Sequence, residues 1–236
     1  MEPGEVGPSP GPAEPDAFAD ERARMVEEQI RARGVRDPRV LAAMRELPRH
    51  LFLPRARWGE AYGDWALPTT CGQTISQPYI VARMLELAEF EPGHRVLEVG
   101  TGSGYQTALL SRLAREVCSV ERVHELLEAA RECLASQNVA NVRLREGDGT
   151  LGWREFAPYD RVVVAAAAPR VPEALKEQLS GRGVLVMPVG GAAIQRLEVW
   201  RRSVAGEWVW SRHGECRFVP LIGRDAWREE RDPSQN

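Results

Sequence analysis

The residues best suited to chemistry lie in one short run, Glu98-Val99-Gly100-Thr101-Gly102-Ser103-Gly104-Tyr105. It follows an apolar, strand-like segment and opens a helix-like one. Glycines at a strand-to-helix turn tolerate positive φ and let a ligand come close to the backbone. Such a turn alone is common, so its spacing decides. A dinucleotide fingerprint reads G-x-G-x-x-G/A. Here the third position of that pattern falls on Tyr105, and the third glycine comes one residue early, at Gly104. The spacing argues against a dinucleotide.

Two more groups sit at the ends of the next strand-like runs. Glu121 closes the second, where a carboxylate can accept both hydroxyls of a ribose. Gly147-Asp148-Gly149 closes the third. Any one such acid is equally an ordinary solvated edge or helix cap. Three in order, at successive strand ends of one sheet, mark a ligand site where such sheets bind ligands. With Glu98 leading it, the loop resembles the acidic-x-G-x-G-x-G motif of class I S-adenosylmethionine methyltransferases. The resemblance implies S-adenosylmethionine as cofactor and S-adenosylhomocysteine as product. It also implies cofactor contacts from Glu98, Gly100, Thr101, Gly102, Ser103, Gly104, Glu121, Asp148 and Gly149, with Asp148 facing the adenine amino group.

The elements that must position these residues alternate. Arg95–Val99, Val117–Val120, Val142–Arg145, Arg161–Ala165 and Val184–Val189 read as buried strands, and Tyr105–Arg115, Val123–Ser136 and Pro172–Leu179 as helices. That alternation predicts a mostly parallel sheet with helices on both faces, an α/β, Rossmann-like class I methyltransferase fold. An N-terminal helical extension precedes it. Its helices are expected over Asp20–Arg33, stopped by Gly34, over Asp37–Met44 with Asp37 as N-cap, and from Pro78 to before Pro92. Arg196–Arg201 and Trp208–Arg212 alternate around Ala205-Gly206 and predict a C-terminal antiparallel hairpin. Arg217–Leu221 is a further short run that pairs with or caps the sheet edge. Residues 1–19, rich in proline and glycine, are expected to be a disordered tail. A methyltransferase domain should span 20–223, divided into an N-terminal active-site segment (20–91), a cofactor-binding core (92–190) and C-terminal strands (191–223). A polar tail, 224–236, completes the chain.

The methyl acceptor is a separate question, which the fold does not answer. Methyltransferases that act on nucleobase amines resemble one another in an Asn/Asp-Pro-Pro-aromatic turn after the fourth strand. Here the turn is Ala165-Ala166-Ala167-Ala168-Pro169, with no amide or acid to hold an amino group. Small residues there leave room for a bulky acceptor, and they serve tight helix–sheet packing equally well. More specific is Gly72-Gln73-Thr74-Ile75-Ser76-Gln77-Pro78-Tyr79-Ile80-Val81, which looks like the signature of protein-L-isoaspartate O-methyltransferases. Met25–Gly34, Pro48–Pro54, Gly147–Trp153, Met187–Gly190 and Phe218–Leu221 match that family in order.

The resemblance implies methylation of the free α-carboxylate of L-isoaspartyl residues in damaged peptides and proteins, a protein-repair reaction. It makes Ser76 the active-site residue, with Thr74, Ile75 and Gln77 flanking it and Gln195 near the cofactor. A carboxylate with an ordinary pKa of about 4 is already an anion at neutral pH, so no general base is required. Ser76 then positions the acceptor and is not a nucleophile; no G-x-S-x-G elbow surrounds it. The same serine can also cap the helix after Pro78, and the two roles are compatible. A methyltransferase of this fold acting on a small-molecule or other carboxylate is the alternative enzyme, and a binding scaffold the alternative outside enzymes.

Composition excludes several classes. A net charge of −3 and a pI near 5.9 lack the positive excess of a nucleic-acid binder. Cys71, Cys118, Cys133 and Cys216 form no C-x-x-C pair, and His50, His94, His124 and His213 have no metal-ligand spacing, so no metal is expected. No apolar stretch approaches a membrane span and no secretory signal is visible. A monomer in the cytoplasm is expected, with isoaspartyl proteins and peptides as its partners and neither nucleic acid nor membrane among them.

Overall fold

The computed structural model describes residues 17–203 and 205–228. The expected proline-rich tail therefore lies outside the described residues except for its last three. Those are ordered: Phe18 packs its ring 4.7 Å from that of His50 and 6.0 Å from that of Tyr62.

The N-terminal segment opens with α1 (Ala19–Arg24), which continues as a wider π-helical run over Met25–Arg31. That widening departs from the expected regular helix. In it Met25 and Ile30, five residues apart, are both fully buried. Next comes α2 (Pro38–Glu46), where the Asp37 side chain accepts from the Arg39 amide and proline takes the first helical position. Short 3₁₀ turns follow at Arg49–Phe52 and Arg55–Glu60. A two-residue ribbon, β1 (Leu67–Pro68) against β2 (Thr74–Ile75), then brackets the loop that leads to α3 (Pro78–Ala88).

The main sheet follows from the apolar runs: β3 (Arg95–Val99), β4 (Glu116–Glu121), β5 (Val142–Glu146), β6 (Tyr159–Val164), β7 (Leu179–Gly190), β8 (Gln195–Arg202) and β9 (Trp208–Cys216). Their order is β5-β4-β3-β6-β7-β8-β9, parallel through β7, with β8 and β9 antiparallel. The chain runs outward from β3 through β4 to β5 and returns on the other side of β3 as β6. The direction of winding thus reverses between β3 and β6, which opens a crevice at their carboxyl ends.

Helices α4 (Tyr105–Leu113) and α5 (His124–Ser136) cross between these strands. The N-terminal helices and α4 cover one face of the sheet, burying Met44, Leu85 and Leu109 against Val96, Val163 and Val186. The other face is covered more thinly, by Trp153, Val171 and Leu175 over Leu97, Val162 and Leu185. Helix α6 there spans only Glu173–Glu177. The expected helix through Leu179 is cut short because Leu179 pairs with Tyr159 and starts β7; sheet pairing overrides local helical preference.

Two further differences concern the C-terminal end. Arg217–Leu221 does not extend the outer edge of the sheet. Val219 accepts from the Ala167 amide at 2.8 Å and Leu221 donates to the Ala167 carbonyl at 2.7 Å, which lays this segment across the end of β6. Residues 224–228, expected in a tail, are anchored to the loop after β5: the Arg224 amide donates to Asp148 Oδ2 at 2.8 Å.

Candidate active site

A cavity of about 240 Å³ opens at the crevice between β3 and β6. Its floor is the glycine loop. Gly100 and Gly102 adopt φ of +91° and +54°, a region that L-residues with side chains avoid. A Cβ on Gly100 would stand 3.5 Å from that of Ala165, so the small rim after β6 and the glycine together keep the cavity open. Thr101 and Ser103 line it as well.

Glu121 lines the cavity at the end of β4 and is nearly buried. Its Oε2 accepts from the Gly102 amide at 3.0 Å, and its Oε1 from the amides of Arg122 at 2.8 Å and Val123 at 3.0 Å. One carboxylate thus ties the glycine loop to the start of α5. A carboxylate offers about four acceptor positions, so with three amides bound one position remains for a ligand hydroxyl. Gly149 approaches from the end of β5, and only glycine fits there: a Cβ would fall 2.3 Å from Val99 Cγ1. Positive-φ glycines, a carboxylate between two loops and apolar walls from Val120, Leu126 and Ile222 suit a nucleoside with a free diol.

The opposite wall comes from outside the nucleotide-binding core. Gly72–Ser76 reaches the cavity from the ribbon before α3, and Val219–Ile222 from the C-terminal segment. Among the described residues the Ser76 hydroxyl makes no hydrogen bond, and α3 starts at Gln77 without a side-chain cap. Ser76 therefore does not cap the helix. Its carbonyl is held instead, by Arg49 Nη2 at 2.9 Å.

The cavity brings together Thr74, Ile75, Ser76, Gly100, Thr101, Gly102, Ser103, Glu121 and Gly149. Other expected residues stand elsewhere, each for a visible reason. Gln77 turns away, donating to the carbonyl and side chain of Asp64 at 2.9 and 2.8 Å. Glu98 is fully buried behind the loop, where it accepts from Gln106 at 3.1 Å, Ser119 at 2.7 Å and the Thr107 hydroxyl. Ser119 in turn meets the Thr101 hydroxyl at 2.6 Å, so Glu98 braces the loop from below. Burial raises the Glu98 carboxyl to about 7, against the opposing pull of those hydrogen bonds. Gly104 starts α4 and lets it pack on α5, where a Cβ would stand 3.4 Å from Ala130 and Leu134.

Asp148 spends its Oδ1 on the amide and hydroxyl of Thr150 and its Oδ2 on the Arg224 amide, and does not face the cavity. Gln195, also buried, donates to the carbonyls of Gly191 and Ala192 and accepts from the Phe218 amide at 2.9 Å. It fixes the segment that carries Val219 without itself lining the cavity.

Residues without an assigned role in the sequence include Val219–Ile222, Tyr105 and Arg49. Val219–Leu221 and Arg49 lie in the matched blocks Phe218–Leu221 and Pro48–Pro54, which mark the family without pointing to a cavity wall or a buried charge, and Ile222 follows the first block. Tyr105 breaks the dinucleotide pattern and starts a helix, and neither reading gives it a place at the site.

Residues 20–226 match the family model described as protein-L-isoaspartate(D-aspartate) O-methyltransferase. A protein-L-isoaspartate O-methyltransferase of Methanoregula boonei is 52% identical over 209 residues, spanning 89% of this chain and 96% of that protein. Protein-L-isoaspartate O-methyltransferase 1 of Rhodopseudomonas palustris is 50% identical over 212 residues, 89% of this chain and 86% of that one. A solved protein-L-isoaspartate O-methyltransferase superposes with a TM-score of 0.76 at 28% identity, covering 87% of this chain and 67% of its own. A Plasmodium falciparum structure assigned to the same enzyme class, in complex with S-adenosyl-L-homocysteine, shares the fold with a TM-score of 0.74 at 23% identity, over 85% and 98% of the two chains.

Proposed function

The chain belongs to the protein-L-isoaspartate(D-aspartate) O-methyltransferase family, and from that premise we propose how its own residues divide the work. It is an S-adenosylmethionine-dependent enzyme that methylates the free α-carboxylate of L-isoaspartyl residues in peptides and proteins. Gly100–Ser103, Glu121 and Gly149 hold the adenosine part of the cofactor, and Ser76 holds the acceptor carboxylate. The observation that carries this division is the position of Ser76: it lines the same cavity as the glycine loop, and its hydroxyl makes no hydrogen bond among the described residues.

Bound in the cavity, S-adenosylmethionine supplies an electrophilic methyl group on a positively charged sulfur. The acceptor oxygen has no proton to lose at neutral pH, so the chain's part is to orient it and to exclude water. Ser76 donates one hydrogen bond to the acceptor carboxylate and fixes its direction. Ile75, Val81 and the Val219–Ile222 wall keep the surroundings poor in water. Ala165 and Ala166 leave room at the rim for the peptide backbone that an isoaspartyl residue carries.

No helix among the described residues is long and apolar enough to cross a membrane. Our reading extends to a cytoplasmic monomer whose partners are its peptide and protein substrates. The decisive assay offers labelled S-adenosylmethionine with a peptide containing L-isoaspartate and with the same peptide containing aspartate. Label is expected in the first alone; equal labelling of both, or none in either, overturns the function.

A further inference from the structure

Behind Ser76 lies a charge that no acid among the described residues neutralises. Arg49 lies in the turn after α2 and is fully buried. Its Nε donates to the Ala61 carbonyl at 2.8 Å and its Nη2 to the Ser76 carbonyl at 2.9 Å. Its Nη1 is buried and has no hydrogen-bond partner among the described residues. The guanidinium carbon stands 5.0 Å from the centre of the ring of Tyr105, a residue that borders the cavity. The Tyr105 hydroxyl is likewise buried and has no hydrogen-bond partner among them. Burial draws the Arg49 guanidinium down only to about 10, so it remains charged at neutral pH.

A fully buried cation is normally paired, because desolvation of a lone charge is costly. Two neutral carbonyls and a ring face compensate Arg49 in part. The missing partner is an anion, and the reaction has one: the acceptor is a carboxylate before methyl transfer and an uncharged ester after it. We propose that Arg49 is the fixed counter-charge of the acceptor site, favouring the carboxylate substrate over the neutral ester product from behind Ser76 and Tyr105. This rests on Ser76 being the residue that holds the acceptor.

Arg49 does not need to touch the acceptor, since a charge in a poorly hydrated site acts over several ångströms. It is a positioning residue that works through the Ser76 carbonyl and through its field. The acceptor charge disappears during the transfer, so attraction by Arg49 strengthens binding of the substrate more than of the transition state. Its removal should appear in KM for the peptide more than in kcat. The same attraction is absent for the ester, which helps the product to leave.

The test compares Arg49→Met, which removes the charge at similar length, with Arg49→Lys, which keeps the charge but not the two-carbonyl clamp. Four quantities are measured: kcat and KM for an isoaspartyl peptide, the inhibition constant of its uncharged α-carboxamide analogue, and the affinity for S-adenosylhomocysteine. In Arg49→Met the peptide KM should rise about tenfold, with a smaller change in kcat, while the inhibition constant and the S-adenosylhomocysteine affinity move less than about twofold. Arg49→Lys should recover most of the lost KM. Parallel weakening of peptide and carboxamide would reduce Arg49 to a backbone clamp and overturn the proposal. So would a Lys variant as impaired as Met.

Should Arg49→Met not fold, the wild-type enzyme still decides. Carboxylate binding about tenfold tighter than carboxamide supports the counter-charge, and equal binding overturns it. A wild-type protein that methylates no isoaspartyl peptide overturns the functional reading and this one with it. An unchanged KM in Arg49→Met overturns this one alone.

Discussion

The two halves of the cavity are built on opposite terms. On the cofactor side, the polar groups around the glycine loop have partners within the protein: Glu121 collects three backbone amides, and Glu98 collects Gln106, Thr107 and Ser119. On the side we assign to the acceptor, among the described residues, Arg49 Nη1 and the Tyr105 hydroxyl are buried without hydrogen-bond partners and the Ser76 hydroxyl makes no hydrogen bond. The first half is preorganised before anything binds. The second is left incomplete in a way that a carboxylate-bearing ligand can complete. Removing a group from the first should cost cofactor affinity or stability, and from the second, turnover or acceptor affinity.

The sharpest way to break this contrast is Glu121→Ala. It strips three amide donors of their shared acceptor and separates the glycine loop from the start of α5. Hydrogen bonds to a charged group are worth about 1.5–3 kcal/mol each. A loss of about 100-fold or more in S-adenosylmethionine affinity is expected by calorimetry. A change below about threefold would move the weight of binding onto the loop backbone alone and dissolve the first half of the comparison.

Glu98 tests whether a satisfied carboxyl is also a relaxed one. Burial raises it from an ordinary value of 4.5 to about 7, so the folded state holds this proton where the unfolded chain has lost it. Its contribution to stability is therefore complete below about pH 4.5 and is lost as pH rises through 7. The ceiling is of order 3 kcal/mol, at about 1.4 kcal/mol for each pH unit between the two values. Glu98→Gln keeps the shape without the charge. Its stability relative to wild type should improve between pH 5 and pH 8, as followed by denaturant unfolding. A constant difference across that range would show that Glu98 meets no penalty as an anion.

On the other side, Ser76→Ala should lower kcat for an isoaspartyl peptide by about 10- to 100-fold, the loss of one oriented hydrogen bond in the transition state. Affinity for S-adenosylhomocysteine should stay within about twofold. If affinity falls and kcat does not, Ser76 belongs to the cofactor half and the boundary between the two must be redrawn.

The same division governs what could be read from the sequence. Gly100, Gly102, Glu121 and Gly149 reach the cavity because each lies at the end of a strand or within three residues after it, and strand ends are visible in the alternation of apolar runs. The half we assign to the acceptor takes Ser76, Tyr105, Ala165 and Val219–Ile222, with Arg49 behind Ser76, and only the tertiary fold brings these together. The motif around Ser76 points to a site, whereas the block Pro48–Pro54 gives Arg49 a family context but no sign of its burial. The expected residues that do not line the cavity share a position. Gln77, Glu98, Asp148 and Gln195 lie one layer behind the surface they were assigned to, where they hold loops in place. Motif spacing gives the neighbourhood of a side chain but not the direction in which it points. Helix ends failed similarly: Leu179 pairs with Tyr159 in the sheet, a contact that no helical periodicity foretells.

Asp148 yields the smallest expected effect and separates the two layers most finely. Sequence placed it on the adenine, yet the fold commits both of its oxygens to backbone and hydroxyl donors, at 2.9 and 2.6 Å from Thr150 and 2.8 Å from Arg224. The Asp225 amide adds a contact to the Thr150 hydroxyl at 3.2 Å, and Gly223 packs so closely that a Cβ there would fall 2.1 Å from Asp148 Oδ1. These contacts hold the segment whose preceding residues, Val219–Ile222, form the cavity wall. If Asp148 acts through that wall, then Asp148→Ala and termination of the chain after Gly223 remove one shared interaction. Their effects on stability should fall short of additive by about 1 kcal/mol, the worth of an ordinary hydrogen bond. Cofactor affinity should drop only a few-fold in either variant, and no further in the double variant. Fully additive losses, with most of the affinity lost in Asp148→Ala alone, would return the carboxylate to the ligand and place it in the cofactor half after all.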